Sequence, residues 1–131
     1  MALESTLHEI EGVQICDLRG SITAGDSAGL LRQVFKDSLA AGQRQLVVNL
    51  KQVDFIDSTG LGTLILGHST MNASGGAMKL AHLSKRSIEL LIITKLSTVF
   101  EIYTDVQDAV NSFFPDRAIQ RFDILSFVQK K

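Results

Sequence analysis

Apolar and polar positions change their spacing several times along the chain, and each change marks an element boundary. Residues 6–10 and 13–18 read as two short strands separated by Glu11-Gly12, a tight hairpin turn. In the second, Val13 and Ile15 point one way and Cys16 and Leu18 the other, as in a strand covered on both faces. A polar loop follows over residues 20–25. Leu30, Leu31, Val34, Phe35 and Leu39 then recur at helical spacing, with Lys36 and Asp37 turned to water. Asp26 or Ser27 is the candidate cap of this helix, and Gly42 closes it. Residues 46–50 form a continuous apolar run broken only by Asn49, the pattern of a buried strand.

Leu61, Leu64, Ile65, His68 and Met71 mark the next helix, ended by Gly75-Gly76, and residues 78–83 a further strand. Ser84 can cap a helix carrying Ile88, Leu91 and Ile92, which ends near residue 94. Residues 99–103 give a short strand. Thr104 or Asp105 opens a last helix with Val106, Ala109, Val110 and Phe113, stopped by Pro115. Strand alternating with helix implies an α/β fold, a mixed and mostly parallel sheet of about five strands and about four helices, with an antiparallel hairpin at the N-terminus. The segment after Pro115 carries Ile119, Phe122, Ile124, Leu125, Phe127 and Val128. That is too apolar for a solvated tail, so residues 115–131 are expected to pack on their own domain, with a partner or homodimer contact as the alternative.

The chemistry concentrates between the apolar run and the helix after it, in Val53-Asp54-Phe55-Ile56-Asp57-Ser58-Thr59-Gly60-Leu61-Gly62. Asp57 or Ser58 can accept a hydrogen bond from a free amide of the first turn, a cap worth about 1 kcal/mol. Two glycines in a first turn are poor helix formers, so something must approach the backbone there, either the sheet or a partner. Helix N-termini accommodate anions, and partners of open α/β sheets bind at the carboxyl ends of strands.

Residues 55–62, Phe-Ile-Asp-Ser-Thr-Gly-Leu-Gly, resemble the signature of the STAS family as found in bacterial anti-sigma factor antagonists. The resemblance extends through Gly75-Gly76-Ala77-Met78-Lys79-Leu80 and through residues 92–100, and it implies a single STAS-like domain over residues 5–114. It further implies that Ser58 is phosphorylated by a partner serine kinase that is also the anti-sigma factor. The antagonist would bind that kinase while unphosphorylated, free a sigma factor and so regulate transcription, and be released once modified, with a phosphatase to reset it. The implied partner surface comprises Asp57, Ser58, Thr59, Gly60, Leu61 and Gly62, together with Ser21 and Thr23 of the neighbouring loop. In the family that loop often reads Gly-Glu-Leu-Asp; here it is Gly20-Ser21-Ile22-Thr23, with hydroxyls at both acidic positions. Lys95 stands where the family usually has glycine, which concerns a local turn. The rival readings are a STAS scaffold in a signalling assembly, or a small-molecule or lipid-sensing STAS module without a phosphoswitch.

Composition adds boundaries. The 131 residues, 45% hydrophobic and 21% charged, suit one soluble domain. A net charge of -1 supplies no basic field for nucleic acid or anionic lipid. No apolar run is long enough to span a membrane, and the N-terminus lacks the basic and apolar regions of a signal peptide. With the lone Cys16, this points to the cytoplasm. His8, His68 and His82 lack ligand spacing, so no metal is expected, and His68 reads as a packing residue on its helix. No Gly-x-Ser-x-Gly elbow surrounds Ser58 and no P-loop lysine follows the glycines, so the chain is expected to be a non-enzyme without cofactor.

Overall fold

Strands β1 (Glu4–Ile10) and β2 (Val13–Ile22) are joined by Glu11 and Gly12, whose φ angles are 53° and 85°. Positive φ at both central residues is what a type I′ turn requires, and such a turn matches the twist of the two strands it connects. The computed structural model describes residues 3–117; the expected packing of the rest of the C-terminal extension lies outside them.

From β2 onward the chain alternates. Helix α1 (Asp26–Ala40) leads to β3 (Gln45–Ile56), α2 (Ser58–Ala73) to β4 (Ala77–Ala81), and α3 (Lys85–Ile93) to β5 (Glu101–Tyr103), with α4 (Val106–Asn111) last. The sheet order is β1-β2-β3-β4-β5, antiparallel in the first pair and parallel in the others. Each parallel crossover steps one strand in the same direction, so a single hand of crossover places α1, α2 and α3 on one face. Leu31, Leu64 and Leu91 of those helices accordingly share a core with Cys16, Val48 and Leu80 of the sheet. The other face buries Val13, Ile15, Val47, Ala81 and Tyr103 against Ala109 and Val110 of α4. The expected split of β2 between two covered faces is therefore present.

The largest departure from expectation lies in β2 and β3. The first continues to Ile22 instead of ending at Leu18, and the second reaches Ile56 instead of Leu50. Their pairing explains why the extension was hidden. Asp17 opposes Asn49, Arg19 opposes Gln52, Gly20 opposes Val53 and Ser21 opposes Phe55, so β3 carries two residues more than β2 over this span. Each extra residue is a bulge that bends the strand. Leu50, Val53 and Ile56 are buried three residues apart, so the two-residue alternation of a regular strand is absent.

Other boundaries shift for local reasons. The expected loop over residues 20–25 shrinks to residues 23–25. Neither Asp26 nor Ser27 is the cap of α1; Gly25 occupies that position without a side-chain bond, and the Ser27 hydroxyl instead accepts from the Thr23 amide at 2.8 Å. Leu30 is exposed at the edge of the expected stripe, while Ser27 and Ser38 are buried on that helix. Gly42 does close α1, in a Schellman arrangement in which Gln43 N donates to Ser38 O and Gly42 N to Leu39 O, both at 3.0 Å. Strand β4 stops at Ala81 because His82 adopts φ 60°. Strand β5 begins only at Glu101, and α4 ends at Asn111, before Pro115 is reached.

Candidate functional site

Helix α2 starts where the bulged half of β3 ends, and three contacts fix that junction. Asp57 is the N-cap: its Oδ1 accepts from Gly60 N at 2.7 Å. The Asp57 amide donates to Ile22 O at 3.1 Å, tying the end of β3 to the end of β2. Asp57 Oδ2 accepts from Ala24 N at 3.2 Å, so the same carboxylate also holds the loop between β2 and α1. Of the two caps the sequence allowed, Asp57 takes the role and leaves the Ser58 hydroxyl free. Ser58 is exposed, and among the described residues nothing hydrogen-bonds its side chain. Its hydroxyl stands at the first helical position, at the positive end of a sixteen-residue helix.

Besides Asp57, the expected partner residues separate into three groups. Ser58, Thr59 and Gly62 are exposed, with open space beside Gly62 where a side chain would stand. Ser21, opposite Phe55 of β3, and Thr23, just past the end of β2, are half-buried. Gly60 and Leu61, by contrast, face inward, so the expectation that both meet a partner is corrected. A Cβ on Gly60 would lie 2.0 Å from the Ile22 carbonyl oxygen, so this glycine lets α2 press against the end of β2. Leu61 is 4% exposed and belongs to the main core. The Thr23 hydroxyl is committed locally, 3.2 Å from the Ser27 hydroxyl.

Two features of the site were not singled out in the sequence. Phe55 is an exposed apolar side chain beside Ser21, a consequence of the second bulge in β3. Leu66 is exposed one helical turn beyond Gly62, extending the outward stripe of Ser58 and Gly62 along α2. Its apolar character was legible, but its orientation depends on which face of α2 meets the sheet.

The remaining candidates are structural. His68 packs edge-on against Phe100, with centroids 5.4 Å apart, and its Nε2 lies 3.2 Å from Asn72 Nδ2. Burial pushes the Cys16 thiol up to about 12, with the neighbouring Asp17 adding to the effect. Among the described residues no three His, Cys, Asp or Glu side chains are grouped as a metal would need. No described helix is long and apolar enough to cross a membrane. A cavity of about 500 Å³ opens at the opposite end of the sheet, lined by residues such as Gly12, Gly42, Arg44, Gly76 and Phe113.

The model of the STAS domain matches residues 4–109. The chain belongs to the STAS domain family. It is similar to an anti-sigma-B factor antagonist of Bacillus subtilis, 38% identical over 76 residues, which are 58% of this chain and 69% of that one. An anti-sigma F factor antagonist of Paenibacillus polymyxa is 26% identical over 111 residues, 84% of this chain and 94% of the relative. Among solved structures, an anti-sigma factor antagonist from Mycobacterium paratuberculosis superposes with a TM-score of 0.75 at 22% identity. It covers 85% of this chain and 93% of its own, and at that identity the likeness concerns the STAS fold. The mixed, mostly parallel sheet of about five strands expected from the alternation of strand and helix is observed, and it is the STAS fold that the resemblance implies.

Proposed function

We propose that this STAS domain is an anti-sigma factor antagonist that binds a partner serine kinase acting as anti-sigma factor and is switched off by phosphorylation of Ser58. The observation that carries the reading is the free Ser58 hydroxyl at the start of α2, with the preceding Asp57 already committed as cap. The names of the relatives support the antagonist role. The partner surface consists of Ser58, Thr59 and Gly62 with the adjoining Ser21 and Thr23.

The switch works by affinity rather than refolding. A phosphoryl group adds about -1.5 to -2 charges at neutral pH. The helix N-terminus stabilises that charge by up to about 2 kcal/mol, opposed by repulsion from Asp57, so the fold tolerates it. A partner surface shaped for a neutral hydroxyl must instead desolvate a dianion. A loss of about 2.8 kcal/mol already weakens binding roughly a hundredfold.

In this reading the protein is a cytoplasmic kinase substrate without enzymatic activity or cofactor of its own, and a phosphatase resets it.

The test pairs the protein with candidate anti-sigma serine kinases encoded in its source genome, in the presence of ATP and magnesium. Intact mass should rise by one phosphoryl group, and Ser58→Ala should abolish the increase while Thr59→Ala leaves it. Binding to the kinase should survive Ser58→Ala and be lost in Ser58→Asp. Equal affinity of those two variants would overturn the release step.

A further inference from the structure

Asp57 uses its two carboxylate oxygens on two different segments, and only one of those contacts is needed for a helix cap. Oδ1 takes the Gly60 amide at 2.7 Å, inside α2. Oδ2 takes the Ala24 amide at 3.2 Å, across the junction and 33 positions away in sequence. The loop that contains Ala24 has few other anchors. At its start the Thr23 amide donates to the Ser27 hydroxyl at 2.8 Å, and that hydroxyl donates back to Thr23 O at 2.9 Å. At its end Gly25, at φ 91°, opens α1 without a side-chain bond. Ala24 and Gly25 are both exposed, and the Asp57 carboxylate is the group that reaches Ala24 from outside the loop's own segment.

We propose that Asp57 is a positioning residue: its second oxygen holds residues 23–25 against the first turn of α2, so that two separate segments present one surface around the Ser58 hydroxyl. The inference rests on the docking role proposed for that surface and adds what assembles it. It also gives the uncharged loop a physical logic. Residues 23–25 carry no carboxylate, and the charge that ties Ala24 down comes from Asp57. A hydrogen bond to a charged acceptor is stronger than a neutral one, which suits a tie made at 3.2 Å on the surface.

The cap and the tie can be separated by substitution. In Asp57→Asn one carbonyl oxygen remains for two amides, and the shorter bond to Gly60 N retains it, while an NH₂ group faces the Ala24 amide. Asp57→Ser likewise preserves a helix cap but has no second acceptor. Amide hydrogen exchange measured by NMR on the full-length chain reads both contacts directly. In both variants Ala24 should exchange at least tenfold faster, while Gly60 keeps its protection and Tm stays within a few degrees. Unchanged exchange at Ala24 would overturn the tie, and so would simultaneous loss of protection at Ala24, Gly60 and the rest of α2. The second readout is the affinity of unphosphorylated protein for the kinase found by the mass experiment above. Asp57→Asn should weaken it at least tenfold; unchanged affinity despite a released loop would overturn the positioning role. If no kinase binds the wild-type protein, the docking reading fails, whereas the exchange data still decide whether Asp57 holds the loop.

Discussion

Gly60 and Gly62 sit two positions apart on the same helix, and the structure assigns them opposite responses to the same substitution. A methyl group on Gly60 would lie 2.0 Å from the Ile22 carbonyl oxygen, 2.7 Å from its carbonyl carbon and 2.9 Å from Ile22 Cγ2. Two of those atoms are backbone, and non-bonded contacts want about 3.5 Å or more, so α2 must lift by roughly 1 Å or more. Overpacking of this kind costs about 1–3 kcal/mol. The lift also strains the bond from Asp57 N to Ile22 O, worth about 1 kcal/mol. Against this, alanine gains about 1 kcal/mol of helix propensity over glycine. Gly60→Ala should therefore destabilise by about 1–3 kcal/mol. Gly62→Ala meets nothing within 4 Å and keeps only the propensity gain, so it should stabilise by about 1 kcal/mol.

For a chain of this size 1 kcal/mol moves Tm by about 4 °C, which puts the two variants roughly 8–16 °C apart. Thermal melts and urea titrations of both proteins measure the difference, and an unchanged urea slope assigns it to the native state. Equal stability of the two alanine variants would refute the reasoning, because nothing except the approach to Ile22 separates their expected behaviour.

Three further outcomes follow from other parts of the fold. Lys95 closes α3 at φ 61°, with Leu96 N donating to Leu91 O at 2.8 Å, so Lys95→Gly should relieve the left-handed conformation and raise stability by about 1 kcal/mol in a urea titration. Cys16 is buried with its thiol pushed up to about 12, so a thiol reagent at pH 8 should fail to label the folded protein and label it fully in denaturant. The Arg117 guanidinium donates to both carboxylate oxygens of Glu11, at 2.6 and 2.8 Å, and holds that carboxyl below its ordinary value of 4.5. A depressed folded-state value means the contact stabilises above pH 4.5 and is lost as pH falls through the lower, folded-state value. Carboxyl NMR titration should show the Glu11 midpoint moving up in Arg117→Gln.

Much of the fold was legible because its elements are held by local rules. The Glu11-Gly12 turn, the Ser84 cap and the Gly42 stop each act within a few residues of their own position and are found where the sequence places them, and of the two starts allowed for α4, Asp105 is the cap. The end of β3 was not legible for a matching reason. Lys51, Gln52 and Asp54 interrupt the apolar run, and the burial of Val53 and Ile56 depends on two bulges against β2. Bulges are set by the partner strand, so a single strand's pattern cannot announce them.

The site divides along the same line. That Asp57, Ser58 and the glycines belong to a helix start could be read from their order, since caps and breakers act on the nearest backbone. Which acid oxygen serves which amide, and which glycine faces the sheet, depends on where Ile22 and Ala24 arrive, and both belong to a strand and loop more than thirty positions earlier. The two glycines are equivalent by helix propensity, and the close approach to Ile22 at Gly60 alone is a long-range contact that sets them apart. The free hydroxyl follows from the same division: with Asp57 spanning the helix start and the loop, Ser58 holds neither and faces solvent. The cap that completes the fold at this corner is thus also what leaves its neighbour's oxygen available for chemistry.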